Sequence, residues 1–339
     1  MRWNISIGTR KLQAAILLGA AFLFVFAGVA NARMPEPQES ASSKQNIQVM
    51  HVRNGVYMIV GAGCNITLDV GEKYIIIVDT GLAKYSDEVL AEIRKISNLP
   101  IMFVANTTSD PDHTGGNGKF FNAGGALPNA TMGFAREDEK DLTRLHLLPG
   151  ATLITTFNAS GRTKENTGMV TAVTFGHEGF KLYNAEPVIF YHMGKAHTDG
   201  DSIVFFRSSD VIASGELYDP TGYPDIQPEN GGTIDGYIDS LNDLLAMLVQ
   251  KEKEEGGTYV IPGHGYLSDR ADVANYRDLV TIIRARIADM IRKGMTLDQV
   301  IAAKPTLDYD GIYGADGGRK FTEIVYRDLA KDITPQKRK

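Results

Sequence analysis

The chain has 339 residues, a formal net charge of −6 and 43% hydrophobic residues, which fits a globular protein with a sizeable core. The acidic balance argues against nucleic acid or an anionic membrane surface as a partner. Cys64 is the only cysteine, which excludes an internal disulfide. We interpret it as a small hydrophobic residue of a buried strand rather than as a nucleophile.

The N-terminal residues have the pattern of a secretory signal. Arg2, Arg10 and Lys11 precede an apolar run over residues 12–30, and Ala30 and Ala32 form an A-x-A cleavage site. A transmembrane anchor is the alternative for a run of this length, but the small-residue site favours cleavage. We therefore predict a signal peptide over residues 1–32, a linker over residues 33–46, and a periplasmic or secreted protein without stable membrane insertion.

The first half of the mature chain predicts strands and one helix. Short β-rich runs separated by Gly and polar turns cover residues 56–60, 66–70 and 74–78. Ser86 is the predicted cap of a helix whose apolar residues recur at helical spacing; they are Val89, Leu90, Ile93 and Ile96. A further strand over residues 101–105 completes a crossover unit, and ligands commonly bind at the carboxyl end of such a strand.

The second half predicts another set of strands, followed by helices. The predicted strands cover residues 171–175, 187–191, 202–206, 210–213 and 259–261, and a helix over residues 234–251 precedes the last of them. The predicted C-terminal helices cover residues 274–293, 296–302 and 321–331. Thr296 and Gln299 have the spacing of a capping box. Nearly every cluster of polar residues described below directly follows a predicted strand.

The stretch from Asn106 to Asn117 carries the densest chemistry. Asp110, Asp112 and His113 lie within four residues, after an apolar strand and before Gly-Gly. Carboxylate and imidazole groups gathered at one turn suit a first-row transition metal. A surface turn rich in Asp, Pro and Gly is an equally acceptable interpretation of this stretch alone.

Four further segments decide between these interpretations. Residues 63–81 end in Val-Asp79-Thr-Gly, residues 194–201 contain His197, residues 213–217 contain Glu216, and residues 262–265 read Pro-Gly-His264-Gly. Together with the Asp-His stretch, and in this order, they resemble the metallo-β-lactamase-fold hydrolases from about His51 to Tyr266, with a continuation to Leu329. The resemblance implies a four-layer αβ/βα sandwich over residues 47–268 and a C-terminal helical extension, residues 269–339, packed on it.

The resemblance also implies two neighbouring metal positions. The complete position would use Asp112, His113, His264 and Glu216, the last replacing the family's bridging aspartate. The second would keep only Asp110 and His197, because Thr108 and Asp110 stand where the family has histidines. Asp79 and Thr108 would lie behind the ligands, and Asp112 would orient or deprotonate the attacking water.

These ligands predict one tightly held Zn²⁺ and a weaker second site, with iron or manganese as alternatives favoured by the carboxylate at Asp110. The resemblance implies an exported hydrolase that uses a metal-bound hydroxide on an ester, lactone, lactam or related bond of a small molecule. Two alternatives stay open: a non-hydrolytic binding protein of the same fold with a degenerate metal site, and an iron-dependent redox enzyme. Loops over residues 122–164 and 218–232 would determine the substrate, and the sequence leaves the oligomeric state open.

Overall fold

The computed structural model of the chain describes residues 46–126, 148–163, 172–176, 179–253 and 256–333. The predicted signal peptide, its cleavage site and linker residues 33–45 lie outside this part, as does Thr171 of a predicted strand. No helix in the described ranges is both long and apolar enough to cross a membrane.

The first sheet has seven strands in the order β1-β2-β3-β4-β5-β8-β9. They are β1 (Gln48–Arg53), β2 (Val56–Val60), β3 (Ile66–Val70), β4 (Ile75–Val78), β5 (Ile101–Ala105), β8 (Thr152–Thr156) and β9 (Ala172–Phe175). The first four strands pair antiparallel and the remaining pairs are parallel. Between β5 and β8, the two-residue strands β6 (Gly125–Ala126) and β7 (Leu148–Pro149) pair with each other.

The second sheet has five strands in chain order. They are β10 (Phe180–Tyr183), β11 (Pro187–His192), β12 (Ser202–Phe206), β13 (Val211–Gly215) and β14 (Tyr259–Pro262). Only β13 and β14 pair in parallel. This arrangement places the carboxyl ends of β13 and β14 at the same edge of the sheet.

Nine α-helices lie in the described part of the chain. They are α1 (Ser86–Ile96), α2 (Pro111–Thr114), α3 (Asn117–Ala123), α4 (Phe157–Ser160), α5 (Ile234–Met247), α6 (Arg270–Arg292), α7 (Leu297–Ala303), α8 (Asp310–Tyr313) and α9 (Ala315–Leu329). As predicted, Thr296 and Gln299 form a capping box at the start of α7.

The layers form because successive side chains of a strand point to opposite faces of its sheet. On β4, Ile76 and Val78 pack between the two sheets, whereas Ile75 and Ile77 pack on the opposite face with α1 and α3. On β12, Val204 faces the first sheet while the outer face packs against α5, α6, α7 and α9. Helices therefore cover both outer faces, and the predicted four-layer αβ/βα sandwich is confirmed.

Several predicted helix ends were wrong because local hydrogen bonds determine them. Tyr85, not Ser86, is the N-cap of α1, since a 3₁₀ turn leads into the helix and the Ser86 hydroxyl donates to the Ala83 carbonyl, 2.8 Å away. Helix α6 begins at Arg270 rather than at residue 274, because Asp269 and Asp272 form a capping box.

Two other helices also differ from their predicted lengths. Helix α5 ends at Met247 rather than at residue 251, since the Val249 amide donates to the Thr258 hydroxyl at 2.8 Å and draws the chain out of the helix. Helix α9 begins six residues before Phe321 and ends at Leu329. A Cβ added at Gly318, in the part of the helix that was not predicted, would lie 2.4 Å from Asp310 Oδ1, so the small residue permits close packing.

The largest omission of the sequence prediction is strand β8. It lies inside the segment that we expected to be a substrate loop, yet it pairs in parallel with both β5 and β9. Strands β1 and β10 were also not predicted. Cys64 is buried as expected, but it lies in the turn between β2 and β3 rather than in a strand. Burial raises the pKa of its thiol, which keeps the thiol neutral.

Candidate metal centre

Five strand ends converge on one region of the sandwich. Asp79 directly follows β4, the loop with Asp110 to His113 follows β5, and Glu216 directly follows β13. His264 follows β14, and His197 lies in the connection between β11 and β12. Because β4 and β5 are parallel, as are β13 and β14, their carboxyl ends meet at one edge of each sheet.

An amide pair holds the loop after β5 in place. The Asn106 and Asn117 side chains donate to each other's carbonyl oxygens at 3.1 and 2.8 Å. The Thr80 hydroxyl is 2.9 Å from Asn117 Oδ1 and 3.0 Å from the His113 carbonyl, and the Thr80 amide donates to that carbonyl at 2.7 Å. All of these groups are buried. Their hydrogen bonds therefore hold in place the short helix α2, which carries Asp112 and His113.

The structure brings four of the predicted ligands together. One ligand atom from each of Asp112, His113, Glu216 and His264 lies within 4.8 Å of all the others. Glu216 Oε1 lies at the centre, 2.7 Å from His113 Nε2 and 3.0 Å from His264 Nε2. Asp112 Oδ2 is 3.2 Å from His264 Nε2. We call this group the four-residue cluster.

Asp79 orients His113 from behind. Its Oδ2 lies 2.9 Å from His113 Nδ1 and also accepts a hydrogen bond from the Thr107 hydroxyl at 2.6 Å, while its Oδ1 accepts from the Thr107 amide at 2.8 Å. A carboxylate at Nδ1 places the proton there and turns Nε2 toward the four-residue cluster. Asp79 adopts a left-handed backbone conformation, with φ of 60°, a local strain of the kind that collects at functional sites.

Close backbone packing positions Glu216. The preceding Gly215 has φ of +52°, and a Cβ added there would lie 2.3 Å from Thr107 Oγ1. A side chain would therefore collide with the residue that holds Asp79. At Gly215, the end of β13 in the second sheet therefore approaches Thr107, after β5 in the first sheet, more closely than a residue with a Cβ would allow.

Opposite charges within the four-residue cluster shift its pKa values. Hydrogen bonds to Asp112 and Glu216 raise the pKa of His264 to about 10. Burial alone would raise the pKa of Glu216, but hydrogen bonds from His113 and His264 outweigh it and lower the pKa well below its usual range. The carboxylates are thus anionic at neutral pH, and a divalent cation could replace the protons that now neutralise them.

Asp110 and His197 lie beside this cluster without joining it. Asp110 Oδ2 is 3.3 Å from His197 Nε2, and burial, which would lower the pKa of His197, is outweighed by Asp110 and Asp201, which raise it to about 11. Thr108 is fully buried, and its hydroxyl has no hydrogen-bond partner among the described residues. We call Asp110 and His197 the second position. Two of its neighbours were missed: Asp201, which contacts His197 Nδ1 at 3.2 Å, and Gln227, whose amide nitrogen lies 2.9 Å from Asp110 Oδ2.

The remaining histidines have structural surroundings or lie outside the described residues. His51 Nε2 is 2.7 Å from the Asn54 carbonyl, and His192 Nε2 is 2.7 Å from the Asp199 carbonyl. His146 and His177 lie outside the described part of the chain. No sequence signal identified Gln227, because it is separated from Asp110 by more than a hundred residues.

Known proteins share this architecture. Residues 59–144 match the family described as the Metallo-beta-lactamase superfamily. No curated protein matches the chain in sequence.

Three solved structures illustrate the similarity. A double mutant of the sec-alkyl sulfatase PisA1 is 12% identical with a TM-score of 0.62, and the match covers 83% of this chain and 50% of that one. The DIM-1 metallo-beta-lactamase is 16% identical with a TM-score of 0.50. TMB-1 is 18% identical with a TM-score of 0.49. Each of these two matches covers 70% of this chain and 97% of the other. At these identities, PisA1 and DIM-1 show a shared fold alone. The chain therefore has the metallo-β-lactamase fold, and its residues 59–144 match the model of that superfamily.

Proposed function

We propose that the protein is an exported, metal-dependent hydrolase that cleaves an ester, lactone, lactam or related bond of a small molecule. The observation that carries the proposal is the four-residue cluster, whose ligand atoms lie within 4.8 Å of one another. Two imidazoles and two carboxylates at this spacing fit a single divalent cation, and zinc is the metal that this mixed nitrogen and oxygen set suits best.

The residues around the cluster support such a role. Ligating histidines generally donate their second ring nitrogen to a carboxylate, which fixes ring orientation and raises ligand basicity. Asp79 stands in that relation to His113, at 2.9 Å. His113 is fully buried, whereas His264 and Asp112 are 31% and 35% exposed. The cluster therefore has a closed inner side and an open side that a substrate can reach.

A divalent cation in the cluster would polarise the oxygen of the scissile bond and lower the pKa of a coordinated water. The remaining roles belong to residues of the chain itself. Asp112, on the open side, orients the attacking water and accepts its proton at a carboxylate oxygen. Glu216 lies between the rings of His113 and His264 and would share the cation with them, and Asp79 keeps the Nε2 of His113 directed into the cluster.

The substrate panel follows from the fold. Enzymes of this fold with solved structures include a metallo-beta-lactamase and a sec-alkyl sulfatase. A test panel therefore contains chromogenic lactam, lactone, thioester, phosphodiester and sulfate-ester substrates. Hydrolysis of at least one of them by the zinc-loaded protein, and not by the chelated protein, is the expected result.

Removing single ligands tests the metal assignment. We expect elemental analysis of the protein to find about one tightly held zinc per chain. His264→Ala and His113→Ala should lose the zinc and the hydrolysis together, whereas His51→Ala, on a strand away from the cluster, should keep both. A wild-type protein that binds no metal under any loading condition would refute the proposal, as would full hydrolysis by His264→Ala.

Export has its own test. The sequence of residues 1–32 supports cleavage after Ala32, so intact mass measurement of protein recovered from a bacterial periplasm should show a chain that begins at Arg33. Recovery of the full-length chain from the cytoplasm or the membrane would contradict export.

A further inference from the structure

An exposed tyrosine follows the last histidine of the four-residue cluster. Tyr266 lies two residues after His264 and is 55% exposed. The intervening Gly265 has φ of +87°, and a Cβ added there would lie 2.8 Å from Pro220 Cγ. The turn that carries Tyr266 therefore packs closely against residues 219–222, the loop after β13, beside the exposed His264.

A second tyrosine reaches this loop from the C-terminal helices. Tyr313, the last residue of α8, packs against Tyr223 with ring centroids 5.3 Å apart, and edge-on against Tyr276 at 6.2 Å. The Tyr276 hydroxyl donates to the Gly222 carbonyl at 3.1 Å. Tyr276 therefore holds both Tyr313 and the loop after β13.

Two carboxylates without an ion pair accompany these tyrosines. Asp219 Oδ1 accepts hydrogen bonds from the Thr221 amide at 2.8 Å and from its hydroxyl at 2.6 Å. Asp272 Oδ2 accepts from the Asp269 amide at 3.0 Å. Within the described ranges, the second oxygen of each carboxylate has no hydrogen bond, and neither side chain pairs with a Lys or Arg. Both carboxylates are partly exposed, so a cationic group of a ligand could reach them.

The two carboxylates act on both tyrosines. Partial burial raises the pKa of the Tyr266 hydroxyl, and Asp272 and Asp219 raise it further. Burial and Tyr266 raise the pKa of Tyr313, with smaller contributions from the same two carboxylates. Residues 213–232 and 262–269, which form the loops beside His264, contain no Lys or Arg. The surroundings of both rings are therefore anionic.

We propose that Tyr266, Tyr313, Asp219 and Asp272 form a subsite that binds an ammonium group of the substrate. An organic cation binds favourably over the face of an aromatic ring, and the unpaired carboxylates would compensate its charge. The inference rests on the proposed function, because it assigns a substrate class to the open side of the four-residue cluster: esters, lactones or lactams that carry an ammonium group. The same carboxylates would repel a sulfate ester or another anion.

The test compares two ligands of the zinc-loaded protein in calorimetric titrations: choline, and the neutral alcohol in which carbon replaces its nitrogen. We expect choline to bind about tenfold more tightly, as a partly desolvated cation–π contact would allow. Tyr266→Leu should remove this preference, whereas Tyr266→Phe keeps an aromatic ring and should retain it. Asp219→Asn should reduce the preference severalfold. Asp243→Asn, on an exposed position of α5, removes the same charge elsewhere and should behave as wild type.

Hydrolysis gives a second measurement. Two chromogenic esters of matched size, one ending in a trimethylammonium and the other in a tert-butyl group, should differ about tenfold in KM in favour of the cation and little in kcat. Tyr266→Leu should make the two KM values equal. Because Tyr266 is exposed, its replacement should leave the fold intact.

Equal affinity of the wild-type protein for choline and for the neutral alcohol would overturn the inference, as would a preference that survives in Tyr266→Leu. Choline binding does not depend on the reaction, so the two proposals can fail separately. A choline preference in a protein that hydrolyses no ester, with or without zinc, would count against the proposed function and leave the subsite standing. Zinc-dependent hydrolysis without any preference for the cation would refute the subsite alone.

Discussion

A buried carboxylate away from the metal centre makes the stability of this protein dependent on pH. Asp69 on β3 is 1% exposed, and its Oδ2 accepts a hydrogen bond from Asn184 Nδ2, 2.6 Å away at the turn between β10 and β11. Asn184 Oδ1 is also buried, and no group in the described part of the chain makes a hydrogen bond with it. Burial raises the pKa of Asp69 to about 7, against the partly compensating hydrogen bond from Asn184.

The sign and size of the effect follow from linkage. Asp69 binds a proton more tightly in the folded chain, where its pKa is about 7, than in the unfolded chain, where the pKa is 3.8. The free energy of unfolding therefore falls as the pH rises from about 4 to about 7. At about 1.4 kcal/mol per pH unit, the raised pKa of Asp69 lowers the free energy of unfolding by roughly 2 kcal/mol at pH 5 and roughly 4 kcal/mol at pH 8.

Asp69→Asn should remove this cost, and its amide can also donate to Asn184 Oδ1. We expect the variant to be more stable than wild type by about 2 kcal/mol at pH 5 and about 4 kcal/mol at pH 8. Urea unfolding at both pH values measures the difference, with the exposed Asp243→Asn as the control that should change little at either. A stability gain that is equal at the two pH values, or a loss at pH 8, would refute the reasoning.

Three further predictions concern the metal centre. Asp79→Asn should weaken metal affinity about 10–100-fold without unfolding the chain, because it removes the carboxylate behind His113; competition with a fluorescent chelator measures it, and unchanged affinity would contradict the role of Asp79. Thr108→Ala should leave zinc content intact where His264→Ala abolishes it, and equal losses in elemental analysis would show that our division into two unequal positions is wrong. The double change Thr108→His and Asp110→His should allow a second zinc to bind, since neutral imidazoles complete a zinc site better than a hydroxyl and a carboxylate do; an unchanged stoichiometry in calorimetric titration would count against this.

The elements that the sequence predicts well are those in which local pattern and burial agree. The runs that became β2, β3, β5 and β12 were predicted with their observed bounds, because their apolar β-branched residues are bounded by turns. Strand β8 was missed because a single buried strand of Thr, Leu and Ile shows no alternation that distinguishes it from a loop. Its place in the sheet depends on parallel pairing with β5 and β9, which are contacts of long sequence separation.

In the candidate site, the sequence predicted the ligands but not the residues that position them. Asp112, His113, Glu216 and His264 were identified because each lies in a short motif that resembles one of the metallo-β-lactamase-fold hydrolases. Thr107, Asn117 and Gln227 were not, although they fix Asp79, the Asp112 loop and Asp110 respectively. Their side chains act through hydrogen bonds that exist only after distant segments pack together, so no local pattern marks them.

The ligands of the four-residue cluster come from both sheets of the sandwich. Asp112 and His113 follow β5 of the first sheet, whereas Glu216 and His264 follow β13 and β14 of the second. A bound cation would therefore fasten one half of the sandwich to the other, and at a thousandfold excess over its dissociation constant it would add about 4 kcal/mol to the free energy of unfolding. For a chain without disulfides, the supply of metal would then determine how long the folded protein survives heat and proteases, independently of any substrate.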